Sequence, residues 1–305
     1  MTVSRSSQTP GAAFRRLVAR QCVAMPGAYN ALTARQIAAA GFKAVYVSGA
    51  GLANATAGVP DIGLLSREEV AQLAGYVAAA VPVPVIADAD TGFDDVAKTV
   101  RSFEAAGLAG LHVEDQVFPK RCGHLAGKEV VSEREMARKI RTAVKVRRDP
   151  EFVIIARTDA RAVEGFDGAV ERAKAYLAAG ADAIFPEALE TADEFMAFAK
   201  AIGAPRVKLM ANMTEFGRGP LLSVSELSKM GYRMVIFPQT ALRAGQKAQA
   251  DCLAELAKTG SQKKWLGKMQ TRAELYELLE YEPSKEWELA AMTQRRNGRE
   301  KPKQV

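Results

Sequence analysis

Asp88 and Asp90 stand one residue apart in IADADTGF, at the end of the short apolar run 83–88. Side chains alternate along a strand, so this spacing predicts two carboxylates facing one site. Close carboxylates repel each other, and a shared proton or a bound cation relieves the repulsion. Asp61 in GVPDIG and Glu114 in GLHVED can join the pair. The set is all hard oxygen, with no histidine cluster, which favours Mg²⁺ or Mn²⁺ over Zn²⁺. Asp94 and Asp95 read instead as turn residues that cap the next helix.

A second pattern lies in DQVFPKRCGHLAGKEVV, residues 115–131. It is long for a connection, and long ordered loops tend to carry function. Lys120, Arg121 and His124 flank Cys122, and Gly123 gives the backbone freedom. Positive charge stabilises a thiolate, so this thiol can serve as nucleophile or as acid and base. A cysteine in apolar surroundings would be a small core hydrophobe. His112 has two even readings, a hydrogen-bonded core histidine or a ligand-binding one. Arg157, Arg243 and Arg272 offer planar forks for carboxylates. The strand-end place of Arg157 favours that role; for Arg243 and Arg272 a surface ion pair is the default. A divalent cation, cationic anchors and an activated thiol suit a small di- or tricarboxylate and carbanion or enolate chemistry beside a proton donor.

The elements that must position these groups are legible as a repeat. Eight apolar, β-branched runs recur, at 21–25, 44–48, 83–88, 110–114, 152–157, 183–187, 207–212 and 233–238. Ala-rich segments of helical spacing separate them. Segments 30–40 and 167–179 close on Gly41 and Gly180, where glycine takes a left-handed C-terminal position. Ser66 with Glu69, Ser132 with Glu135 and Thr191 with Glu194 fit capping boxes. Alternating apolar strands and helices predict a parallel sheet covered on both faces, and eight units predict a (β/α)8 TIM barrel. An open doubly wound sheet is the alternative, but no Gly-rich fingerprint follows the first run. Polar residues gather at the ends of the runs: Ser48-Gly49-Ala50, Asp88 and Asp90, Glu114 and Asp115, Arg157 and Asp159, Glu187, Asn212 and Thr214. Barrel chemistry occurs at those ends.

The 305 residues are about half hydrophobic and a quarter charged, which excludes a disordered chain or a disulfide miniprotein. Cys22, Cys122 and Cys252 lie far apart, which suits a reducing cytoplasm better than a disulfide or zinc framework. The net charge of +7 sits in the tails: Arg5, Arg15, Arg16 and Arg20 at one end, Lys285 and five further bases against three acids over 285–305 at the other. No basic stripe with interleaved aromatics accompanies them, so nucleic-acid binding is not indicated. No apolar stretch is long enough to span a membrane. The expected parts are a basic leader 1–20, a barrel 21–260, a helical extension 261–290 and a basic tail 291–305. Residues 271–280 predict an extra helix whose stripe of Leu275, Leu278 and Leu279 needs a partner surface, here expected on a neighbouring subunit.

The segments YVSGAG, GVPDIG, DADTGF, VEDQ, PKRCGH, ARTDAR, FPEA, ANMTEFG and MQTRAELY, in this order, resemble the isocitrate lyase/phosphoenolpyruvate mutase superfamily from about Phe14 to about Tyr281. KRCGH with ANMTEFG is the specific part. The resemblance implies a Mg²⁺-dependent lyase of propionate catabolism and the methylcitrate cycle, a homotetramer with exchanged C-terminal helices, that splits 2-methylisocitrate into pyruvate and succinate. It implies metal positions at Asp88 and Asp90, with Asp61 and Glu114 holding metal-bound waters. It implies catalytic roles for Cys122, Tyr46 (the candidate base) and His124. It implies substrate contacts at Ser48, Gly49, Ala50, Lys120, Arg121, Gly123, Arg157, Glu187, Asn212, Met213, Thr214, Arg243 and Arg272. Ala50 departs from the SGG of some members but keeps a backbone donor. A 2,3-dimethylmalate-type substrate is the nearest alternative, since one methyl group is worth only about 1–3 kcal/mol of discrimination. A silent barrel, or a nucleic-acid binder using the tails, is the alternative from another class.

Overall fold

A computed structural model describes residues 8–120 and 127–285. Eight parallel strands form β1 (Val23–Ala28), β2 (Val45–Val47), β3 (Val85–Asp88), β4 (Gly110–Glu114), β5 (Val153–Thr158), β6 (Ala183–Pro186), β7 (Lys208–Asn212) and β8 (Met234–Phe237). Each pairs with the next, and Val23 of β1 lies opposite Met234 of β8, so the sheet closes into the expected barrel. The helices are α1 (Pro10–Arg20), α2 (Ala31–Ala39), α3 (Gly49–Leu52), α4 (Arg67–Ala80), α5 (Val96–Ala105), α6 (Glu133–Val146), α7 (Gly165–Ala178), α8 (Ala192–Ala201), α9 (Val224–Lys229), α10 (Thr240–Thr259) and α11 (Arg272–Leu278).

Local signals explain most of the boundaries. Ser66 and Glu69 form the full reciprocal cap of α4, and Asp95 caps α5 through the Ala97 and Lys98 amides. At α8 only half of the expected box forms: Thr191 accepts from the Glu194 amide, while the Glu194 carboxylate takes Arg161 and the Glu190 amide. A guanidinium outcompetes a cap amide because it is itself charged and engages the carboxylate through two nitrogens. The first strand starts later than its apolar run and continues through Pro26 and Gly27. Gly27 permits this, because a Cβ there would lie 2.1 Å from the Pro238 carbonyl oxygen.

Strand side chains divide by parity into two cores. Val45, Val47, Val85, Ala87, Leu111, Val113, Ile154, Ile184, Leu209 and Val235 point outward and pack under the helices. Met25, Tyr46, Ile86, Ile155, Phe185, Met210, Met234 and Ile236 point inward and fill the barrel. Phe14, fully buried, and Val18 of α1 join the inward core. Arg15 adds ion pairs to Glu151 and Asp182. The segment expected as a leader is therefore built into the barrel from Pro10 onward.

The described residues divide into two compact units, one up to residue 247 and one from residue 248. The division falls inside α10. The second unit contains the end of α10, a 3-10 turn over Lys263–Lys268 and α11, which starts with a capping box of Thr271 and Glu274. Among the described residues no helix is long and apolar enough to cross a membrane.

Candidate active site

The inward parity continues beyond the apolar core. Two residues on from Tyr46, Ile86, His112, Ile155, Phe185 and Met210 come Ser48, Asp88, Glu114, Arg157, Glu187 and Asn212. Asp88, Glu114 and Asn212 end their strands, Ser48 and Glu187 directly follow theirs, and Arg157 is the last residue but one of β5. A polar residue at the last inward position of six strands makes one end of the barrel a polar mouth.

The acidic pair forms differently from the spacing argument. Asp88 ends β3, but Asp90 lies beyond the strand in a turn with φ 47°. Aspartate tolerates that left-handed conformation better than most residues. The Asp90 amide donates to Asp88 Oδ1 at 3.0 Å, so a turn, not strand alternation, brings the two together. Gly49, in the first turn of α3, approaches the pair so closely that a Cβ would lie 2.9 Å from Asp88 Oδ2. Ser48 caps that turn by accepting from the Gly51 amide.

Lys120, expected on the substrate, lies among the acids. Its ammonium pairs with Asp61 and, at 2.6 Å, with Asp90 Oδ1, and the side chain is 2% exposed. Burial opposes that charge, but Asp90, Asp88, Glu114 and Asp61 together hold its pKa well above the ordinary value. Burial, reinforced by Asp88 and Asp61, pushes Asp90 up to about 6 against the pull of Lys120. Glu114 is fully buried, and among the described residues neither of its oxygens receives a hydrogen bond. Burial raises its pKa strongly, and Arg157 Nε, 3.3 Å away, supplies only opposing charge.

These residues fit a hard divalent cation. Among the described residues no three Asp, Glu, His or Cys side chains are gathered as a ready-made ligand set. Mg²⁺ needs no such cage, because it keeps several waters and takes one or two carboxylates. The Lys120 ammonium stands where the cluster needs positive charge, and among the described residues the Glu114 oxygens lack donors.

Beside Glu114, Arg157 is buried with its guanidinium 5.3 Å over the Phe185 ring. Asp159 takes Nε at 2.9 Å and Nη2 at 3.1 Å, while Nη1 lies 3.5 Å from Glu187. Asn212 Nδ2 donates to Glu187 Oε2 at 3.2 Å. Thr214 and Asn212 line a small cleft with Pro186 and Ala188. Met213 is buried, its sulfur accepting from the Leu222 amide. Arg243 makes an ion pair with Glu215 at 3.1 Å and lies over the Phe216 ring, which is the default reading for it. Arg272 is exposed on the first turn of α11, in the second unit.

Tyr46 and His112 form the floor. Tyr46 Oη lies 2.8 Å from His112 Nε2, and the rings stack. Burial pushes His112 down to about 4, so the ring is neutral near pH 7. Nε2 is 3.7 Å from Asp88 Oδ1. His112 is thus a hydrogen-bonded core histidine that also borders the site. Burial, with Asp88 nearby, raises Tyr46 well above the ordinary phenol value.

Arg121, Cys122, Gly123 and His124 lie outside the described residues. Asp115, grouped with the strand-end acids, has the opposite parity. It faces outward and accepts from Thr158, Tyr176 and the Asp159 amide. The sequence reading missed Lys128, whose buried ammonium pairs with Asp159 at 2.7 Å. No spacing rule relates these two residues; only the fold brings them together.

Comparison with known proteins places this geometry. Residues 14–257 match the family described as phosphoenolpyruvate phosphomutase. A probable 2-methylisocitrate lyase of Corynebacterium glutamicum is 53% identical over 274 residues, covering 88% of this chain and 89% of that protein. Among solved structures, 2,3-dimethylmalate lyase superposes with a TM-score of 0.86 at 33% identity, covering 94% of this chain and 96% of that one. Phosphonopyruvate hydrolase, solved with oxalate and Mg²⁺, gives 0.80 at 31% identity, covering 95% and 99%.

Proposed function

The chain belongs to the phosphoenolpyruvate phosphomutase family, and on that footing we propose that it is a Mg²⁺-dependent carbon–carbon lyase splitting 2-methylisocitrate into pyruvate and succinate. The observation that carries the reading is the buried ammonium of Lys120 between Asp61 and Asp90, which marks a cluster built around positive charge. The 53% identity to a probable 2-methylisocitrate lyase supports the substrate. The likeness to 2,3-dimethylmalate lyase favours a second reading with that acid as substrate.

Asp88 and Asp90 would hold the metal, with Asp61 and Glu114 binding its waters. Mg²⁺ would supply a Lewis-acid centre that draws charge from the substrate's hydroxyl and carboxylate oxygens. Arg157 offers its Nη1 edge to a substrate carboxylate, and Glu187 and Asn212 orient the hydroxyl side. Ser48, Gly49, Ala50, Arg121, Gly123, Met213 and Thr214 complete the substrate-binding set. Tyr46 is the base. Its hydroxyl, 2.8 Å from His112 Nε2, is held in place by that ring. The bond between the hydroxyl-bearing carbon and its neighbour then breaks. One fragment leaves as pyruvate, and the electron pair moves into the carboxylate of the succinate fragment. Arg157 and His124 stabilise that charge, and Cys122 delivers the proton to carbon. Leu253 and Leu266 of the second unit, 63% and 61% exposed, suit coverage by another copy, as in a homotetramer. Unpaired cysteines Cys22 and Cys252 suit the cytoplasm.

A panel of 2-methylisocitrate, isocitrate, 2,3-dimethylmalate and oxaloacetate, each with and without EDTA, tests the reading. The highest kcat/KM is expected for 2-methylisocitrate, with loss of activity in EDTA. Preference for 2,3-dimethylmalate would select the second reading.

Two further results follow from the metal assignment. Alanine at Gly49 pushes on the Asp88 carboxylate, so Gly49→Ala is expected to weaken Mg²⁺ binding about tenfold or more, as outer-shell changes do. Calorimetric titration measures this; unchanged affinity would show that the close approach is incidental. The second concerns pH. Asp90, with its folded pKa raised to about 6, contributes stability at low pH that is lost as pH rises through that value. Mg²⁺ offsets the loss by replacing the proton. The gain in Tm from Mg²⁺ should therefore grow between about pH 5 and pH 7, with protons released on binding. Scanning calorimetry and titration in two buffers read both; proton uptake would contradict the assignment.

A further inference from the structure

We propose that Asp159 is a positioning residue shared by Arg157 and Lys128, so that one buried carboxylate sets both the substrate anchor and the C-terminal end of the segment carrying Cys122. The inference rests on the proposed function for the role of Arg157. Asp159 is fully buried and its side chain serves two cations. Oδ2 takes Arg157 Nε at 2.9 Å, and Oδ1 takes Arg157 Nη2 at 3.1 Å and Lys128 Nζ at 2.7 Å. The fork is engaged side-on. This fixes the guanidinium plane and leaves the Nη1 edge turned toward Glu187.

The carboxylate is itself anchored. The Asp159 amide donates to Asp115 Oδ1 at 2.8 Å. Asp115 stands at the start of the loop, where its carbonyl accepts from the Val131 amide at 2.8 Å. Gln116 bridges to Val130, and the Val117 amide donates to the Glu129 carbonyl, so the two ends of the loop are held side by side. Lys128 follows His124 by four residues. Its side chain is 1% exposed, an unusual place for an ammonium. A buried ion pair gives little net stability compared with apolar packing. What it provides is a fixed relation between the groups it joins, here the strand-end arginine and the stem of the loop.

Steady-state kinetics with 2-methylisocitrate and Mg²⁺ on Asp159→Asn, Lys128→Met, Lys128→Arg and the Asp159→Asn/Lys128→Met double variant test this, with Tm recorded for each. Asp159→Asn is expected to lower kcat/KM by about 100-fold, with KM raised and kcat reduced, since it loosens anchor and stem together. Lys128→Met is expected to lower kcat by about tenfold with a smaller change in KM, and Lys128→Arg to recover most of that loss. The double variant should match Asp159→Asn alone, because both changes act through one carboxylate. Lowered Tm with wild-type kcat and KM would reduce the ion pairs to a structural role, and multiplicative losses in the double variant would show independent action; either overturns the proposal. Should Lys128→Met fail to fold, Lys128→Gln replaces it in the same comparison. If the wild-type enzyme does not turn over 2-methylisocitrate, the functional reading fails separately. The affinity for succinate in the presence of Mg²⁺ then decides alone: weakened about tenfold by Asp159→Asn if the proposal holds, unchanged if it does not.

Discussion

Asp88→Asn is expected to lower kcat/KM by about a thousandfold or more and to abolish the Mg²⁺-dependent rise in Tm. The substitution keeps the size and the acceptor for the Asp90 amide, which Asp88 Oδ1 now provides at 3.0 Å. It removes one negative charge from a cluster in which Lys120 pairs with both Asp61 and Asp90. The metal-free fold therefore loses little, because those two ion pairs persist. On the proposed assignment the metal would lose one of its two carboxylate ligands. Activity assays across a Mg²⁺ series, with scanning calorimetry on the same samples, separate the two effects. An Asp88→Asn enzyme with wild-type Mg²⁺ dependence would move the metal away from β3.

Cys122→Ser is expected to lower kcat by about a thousandfold while Mg²⁺-dependent ligand binding survives, the range for losing a general acid. Serine is nearly the same size, but its hydroxyl is a far weaker acid than a thiol. The KRCGH surroundings that favour thiolate formation cannot make up that difference. The loss should fall on kcat, since the anchors Arg157, Glu187 and Asn212 are untouched. Single-turnover kinetics with titration of succinate distinguish lost chemistry from lost binding. Wild-type turnover by Cys122→Ser would assign the proton to another group.

The barrel and the polar mouth were largely legible in the sequence because both rest on short-range periodicity. Eight apolar runs of strand length gave eight strands. Parity within each run then carried Asp88, Glu114, Arg157 and Asn212 to the inward side. Parity also explains where the reading went wrong. Alternation predicts Asp90 on the strand, yet it sits in a left-handed turn past it. Asp115 is one residue out of phase with Glu114, so it belongs to a network with Thr158 and Tyr176 under the helices. Lys120 and Lys128 could not be placed from spacing. Long side chains in a loop go where charge attracts them, and their partners Asp61, Asp90 and Asp159 are brought near only by the closed barrel. The helix caps show the same limit, since the second half of the α8 box yields to Arg161, a residue 30 positions before Thr191 in the chain.

The most direct measurement is product analysis by NMR after turnover of 2-methylisocitrate and Mg²⁺ in D₂O. Cleavage with proton delivery to the succinate fragment predicts succinate carrying one deuterium on one carbon and pyruvate with an unlabelled methyl group. No cleavage between those carbons would contradict the lyase reading, and succinate without deuterium would contradict proton delivery by an exchangeable group such as the thiol.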